Sequence, residues 1–108
     1  MTIKTRLNRL SVIAGLIRDR DLARLRQAAA AREETRTLIA GLDAASATDL
    51  DPVTGALVAQ SYHLWAEQRR AELNLCLARQ TADWLQCQQK AAQGFGKAEI
   101  LSRLMRRY

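Results

Sequence analysis

Gly94-Phe95-Gly96-Lys97-Ala98 has the residue types of a phosphate loop: glycines that let backbone N–H groups approach an anion, and a lysine to meet its charge. The spacing fails. A phosphate loop places four residues between its first glycine and Gly-Lys, follows them with Ser or Thr, and is preceded by a strand; this segment has none of these. His63 and Glu67, four residues apart, fall on one face of a helix, as paired metal ligands would. The chain has a single His, so a metal centre lacks its remaining donors. A phosphotransfer histidine is no better served, because Leu64-Trp65-Ala66 follows His63 with no Lys close by. Cys76 and Cys87 lie eleven residues apart, about 16 Å along a helix, too far for a disulfide. They read as small buried thiols in a reducing compartment. No catalytic, metal or cofactor site is expected, and the chain reads as non-enzymatic.

The elements that carry these residues are helices. The chain has 108 residues, 48% apolar but only 5% aromatic, with one Pro and five Gly, a composition that favours helix over sheet sandwich or barrel. No apolar run of about 18 residues exists, so no membrane span is expected. Lys4, Arg6 and Arg9 before Leu10–Ile17 imitate a signal peptide, but the run stops at Arg18 without a small-residue cleavage site and reads as helix. The expected fold is all-α: two long antiparallel helices forming a single coiled-coil hairpin over 1–108, with helix 3–41, hinge 42–51 and helix 52–107.

In the first helix Leu7, Leu10, Ala14, Ile17, Leu25, Ala28, Thr35, Ile39 and Leu42 form the stripe, with a phase slip near Asp19-Arg20-Asp21 that reads as a local unwinding of the supercoil. Gly41 is the stop signal. Asp51-Pro52 starts the second helix, Asp51 as N-cap and Pro52 at the first helical position, with Leu50 and Val53 as a staple. From Leu73 a heptad runs through Leu77, Gln80, Trp84, Cys87, Ala91, Gly94, Ala98, Leu101 and Met105. A second stripe, Leu57, Leu64, Ala71, Leu75, Ala78, Ala82 and Leu85, widens the face and leaves room for another partner or a homodimer. Gly94 and Gly96 are the expected place for a kink or fray. A tight closure with Leu42 opposite Pro52 pairs residue 3 with residue 91, and leaves everything after Gly94 overhanging by about 20 Å.

Net charge is +6, unevenly placed. Nine cations against four anions before residue 43 leave +5, the hinge acids Asp43, Asp49 and Asp51 give −3, and eight cations against four anions beyond leave +4. Lys4, Arg6 and Arg9 from one helix and Arg103, Arg106 and Arg107 from the other gather at the open end, with Glu99 the acid nearby. That pattern suits axial docking into an acidic or phosphate-bearing partner, or simple complementation of the helix C-terminal dipole. Nucleic acid is the weaker reading despite the basic balance. The arginines of the first helix alternate with Asp19, Asp21, Glu33 and Glu34, and no nucleic-acid module is present. Trp84 reads as core, and Tyr62 with Trp65 as candidate partner anchors.

Arg6-Leu7-Asn8-Arg9-Leu10 followed by Arg18, Asp21 and Ala23, the stretch from Tyr62 to Leu104, and the ending Lys97-Ala98-Glu99-Ile100-Leu101-Ser102-Arg103-Leu104 resemble the type III export stalk family, the FliJ-like coiled-coil proteins of the bacterial flagellum and their injectisome counterparts. The resemblance covers most of the chain, which is shorter than is usual for the family. It implies a cytoplasmic, non-enzymatic stalk for protein export that couples the export ATPase ring to the export gate protein. Carried onto this chain, Lys4, Arg6, Arg9, Arg103, Arg106 and Arg107 would face the ATPase, and the surface around Tyr62 and Trp65 the gate. A small helical export chaperone, or a basic helical nucleic-acid-binding protein, are the alternatives.

Overall fold

The computed structural model describes residues 2–43 and 51–108. Its two elements are α1, Ile3–Ala40, and α2, Pro52–Arg107, and the fold is an all-α helical hairpin. The hinge residues 44–50, including Asp49 and the staple residue Leu50, lie outside the described residues.

Each helix begins on a side-chain cap. At α1 the Thr2 hydroxyl accepts the Thr5 N–H at 3.2 Å, and the Thr2 carbonyl accepts that of Arg6. At α2 the Thr54 N–H donates to Asp51 Oδ1 at 2.6 Å, and Gly55 N–H to the Asp51 carbonyl at 2.7 Å. Hydrogen bonds from Thr54, the side chain first and the backbone second, outweigh slight desolvation and hold the Asp51 carboxyl below its ordinary value of 3.8. Because the folded value is depressed, the cap supports the helix above that ordinary value and is lost as pH falls through the lowered one. In an NMR titration the Thr54 amide of the intact protein is therefore expected to move with a midpoint below 3.8, and to stay flat in Asp51→Asn.

At its far end α1 stops where Gly41 was expected to stop it, but Gly41 takes no left-handed conformation. The closing bonds are Gly41 N–H to the Thr37 carbonyl and Leu42 N–H to that of Ile39, a tightened last turn that frees the Leu42 carbonyl for a partner on α2.

The helices pack as two compact units. In the unit formed by Ala31–Thr81, Leu42, Ala66 and Leu73 are buried together, with Ile39 and Tyr62 packed against them. Tyr62 donates its hydroxyl to the Leu42 carbonyl at 2.8 Å. Half-buried Leu77 continues this seam, and polar groups lie beside it. Arg32 Nε donates to Thr81 Oγ1 at 3.0 Å, buried Thr35 donates to the Ala31 carbonyl, and Gln80 Oε1 is buried with no hydrogen-bond partner among the described residues. Arg70 bridges Asp43 at 3.5 Å and also pairs with Glu67.

In the unit formed by the chain up to Ala30 and Ala82–Tyr108, the buried residues are Asp21, Ala28, Ala91 and Gly94. Leu7, Ser11, Ala14, Arg18 and Leu25 are half-buried on α1, and Trp84, Cys87, Ala98, Leu101 and Met105 on α2. The α1 seam thus steps through residues 7, 11, 14, 18, 21, 25 and 28 in unbroken alternation of four and three. The expected phase slip does not occur. Arg18 and Asp21 occupy seam positions, while Leu10 and Ile17, read as core, stand 50% and 40% exposed. Asp21 fits because it faces Gly94, where a Cβ would lie 3.1 Å from Asp21 Oδ2 and 3.6 Å from the Arg18 Cα. Its other oxygen, Oδ1, accepts from Arg20 at 3.3 Å.

That contact also corrects the register. Tight closure would place Asp21 opposite Leu73, whereas it meets Gly94, three heptads further along α2. The segment after Gly94 consequently runs beside the first turns of α1, Leu101 sharing a groove with Leu10 and Ala14, and does not overhang them. Helical structure in α2 continues through Gly94 and Gly96.

Candidate functional site

Lys4, Arg6 and Arg9 lie in the first turns of α1, and Arg103, Arg106 and Arg107 in the last turns of α2, within one compact unit and all exposed. Following the Asp21–Gly94 register outward, the start of α1 comes alongside the end of α2. Six cations therefore share one pair of helix ends. Arg103 is held by Glu99 one turn back at 3.5 Å, an exposed pair of small energetic weight. Arg106 and Arg107 sit in the final turn, where the free carbonyls favour positive charge. The cluster can attract a polyanionic surface over roughly a Debye length of about 8 Å in physiological salt.

Tyr62 and Trp65 belong to the other unit. Their rings stack at a tilt, centroids 5.6 Å apart and planes at 46°. The two differ in what they offer. Tyr62 is half-buried with its hydroxyl committed to Leu42, whereas Trp65 is 53% exposed above Gln68, Arg69 and Glu72. Trp65 is the free aromatic surface and Tyr62 its support.

Among the described residues no three His, Cys, Asp or Glu side chains converge as they would on a metal ion, and no helix is long and apolar enough to cross a membrane. Both cysteines are free. Cys87 is half-buried on the seam, but Cys76, expected to be buried, is exposed. The second stripe from Leu57 to Leu85 is exposed along its whole length.

One surface escapes a reading of the sequence. Leu10, Ile13 and Ile17 of α1 and Leu101 of α2 wall a groove of about 390 Å³, rimmed by Arg20, Arg24, Lys90 and Lys97. The signal was present in the seven-residue spacing of Leu10 and Ile17, but hydrophobicity assigned both to the seam, and only the opposing helix shows that Ser11 and Arg18 take those places. A scan of protein-family models and searches of curated proteins and solved structures return no match to this chain.

Proposed function

We propose that this chain is a non-enzymatic coiled-coil stalk or adaptor of the type III or flagellar export kind, working in the cytoplasm to couple an export ATPase to its gate. The observation that supports it most is the gathering of Lys4, Arg6, Arg9, Arg103, Arg106 and Arg107 on paired helix ends, exposed, with Glu99 pairing Arg103. Such an end is steered into an acidic opening by long-range attraction. The seam behind it suits mechanical coupling. Asp21 seated on Gly94 resists sliding of one helix along the other within this unit. Trp65 is the anchor offered to the gate protein, as exposed tryptophans often are at binding surfaces.

The test is charge reversal at Arg103→Glu, Arg106→Glu and Arg107→Glu together, all exposed positions, with helicity compared by circular dichroism and the triple Gln variant, which removes the charge without reversing it, run alongside. Affinity for the export ATPase of the same cell is expected to fall at least about tenfold, while unchanged binding refutes docking through this end. Recovery of a secreted client without any ATPase would favour the chaperone reading. A steep inverse salt dependence of binding to arbitrary duplex DNA would favour the nucleic-acid one.

A further inference from the structure

The groove beside the seam carries an inference that does not rest on the export reading. Its walls are the exposed Leu10, Ile13 and Ile17 on one side and Leu101 on the other, and its floor is made by small or buried residues, Ala14, Asp21 and Gly94. The missing Cβ of Gly94 keeps that floor low. The rim is cationic on both sides, Arg20 and Arg24 from α1 and Lys90 and Lys97 from α2. Arg24, Lys90 and Lys97 are exposed and make no ion pair among the described residues. Asp21 is the one carboxylate in the lining; it is 6% exposed and already bonded to Arg20.

We propose that this groove binds an acidic amphipathic helix of a partner protein, whose apolar stripe lies on Leu10, Ile13, Ile17 and Leu101 and whose flanking carboxylates meet Arg24, Lys90 and Lys97. Residues 10 to 24 of α1 span about 21 Å, some four helical turns, which matches a short helix laid along the groove with anchors at three- and four-residue spacing. The charge decides among occupants. A second copy of this chain seated face to face would set Arg24, Lys90 and Lys97 against the same three cations, with Asp21 already committed to Arg20. A bilayer of anionic lipid would satisfy the cations, but it presents a broad surface to a recessed floor.

The probe is a synthetic 16-residue peptide with leucines at helical three–four spacing on a Glu and Gln background, titrated into the full chain and read by anisotropy and by amide shift mapping. Binding is expected, with shifts confined to the groove residues. A permuted peptide of identical composition without the stripe, and a stripe peptide with Lys for Glu, are each expected to bind at least about tenfold more weakly. Arg24→Glu with Lys90→Glu and Lys97→Glu should cost a similar factor, as should Leu10→Ser with Ile17→Ser; all five positions are exposed, and circular dichroism checks the fold. The Arg103, Arg106 and Arg107 reversal is expected to leave peptide binding intact, so failure here and failure of ATPase docking are separable. Equal binding of the permuted peptide overturns the proposal, as does indifference to the rim reversal. So does a dimer in sedimentation that Leu10→Ser with Ile17→Ser dissolves, or capture by anionic vesicles with no peptide binding.

Discussion

Leu73→Ala is expected to unfold most of the Ala31–Thr81 unit at ambient temperature. Leu73 is 6% exposed and packs with Leu42 and Ala66, the buried core of this unit, against Ile39 and Tyr62. Truncating a buried leucine costs about 2–5 kcal/mol, because the transfer free energy of the lost methyls is joined by the cavity left behind. A third helix would normally share such a loss, but here the remaining seam offers half-buried Leu77 among polar groups: Arg32 with Thr81, Thr35 bonded to its own helix, and Gln80 Oε1 without a hydrogen-bond partner among the described residues. Small domains have only a few kcal/mol in reserve. Urea titration followed by circular dichroism should show the midpoint collapsing, and amide exchange should show protection lost around Ile39 and Leu42 as well as around Leu73. Leu75→Ala is the control. Leu75 is exposed, so its truncation is expected to change stability by less than about 0.5 kcal/mol.

The second large effect concerns two glycines a residue apart. Gly94→Leu should be destabilising by about 1–3 kcal/mol, the usual penalty for forcing volume into a packed site. Even a bare Cβ there would lie 3.1 Å from the Asp21 carboxylate, with the Arg18 backbone behind it. At Gly96 nothing lies within 4 Å of an added Cβ. Gly96→Ala should therefore stabilise by about 1 kcal/mol through helix propensity alone. Thermal melts of the two variants should move in opposite directions. Combining Gly94→Leu with Asp21→Ala should recover part of the loss, since the shortened partner makes room, and a double-mutant cycle reads the coupling directly. Additive losses would mean that the two positions do not face each other.

Much of this hairpin is legible in its sequence. The heptad from Leu73 to Met105 is buried or half-buried at all ten positions, and Asp51-Pro52 marks the start of α2. That success has a physical basis, since apolar side chains at three–four spacing and an N-cap carboxylate act locally. The register was not legible. A heptad repeat can slide by whole repeats with little change in pattern, and three heptads separate the expected partner of Asp21 from Gly94. What fixes it is pairwise and distant in sequence: a carboxylate that needs a missing Cβ, and a Leu42 carbonyl that needs the Tyr62 hydroxyl. The same dependence hid the α1 seam. Ser11, Arg18 and Asp21 look like surface residues until the facing helix is known, so Leu10 and Ile17 were given their places. For the candidate site, charge composition found the basic helix ends. The groove followed only once those two residues were seen to stand outside the seam.

The seating of Asp21 on Gly94 bears on how the chain finds its partner helix. In chain order α1 precedes Gly94 by more than fifty residues. A parallel, in-register pairing of two copies of α1 would set Asp21 against Asp21 and Arg32 against Arg32, with no glycine to receive either carboxylate, and like charges in a seam oppose that pairing. The side chain that seats α1 on α2 is thus one that disfavours a parallel pairing of α1 with another copy of itself. Fidelity of assembly is written into a position that hydrophobicity alone would have marked as a defect.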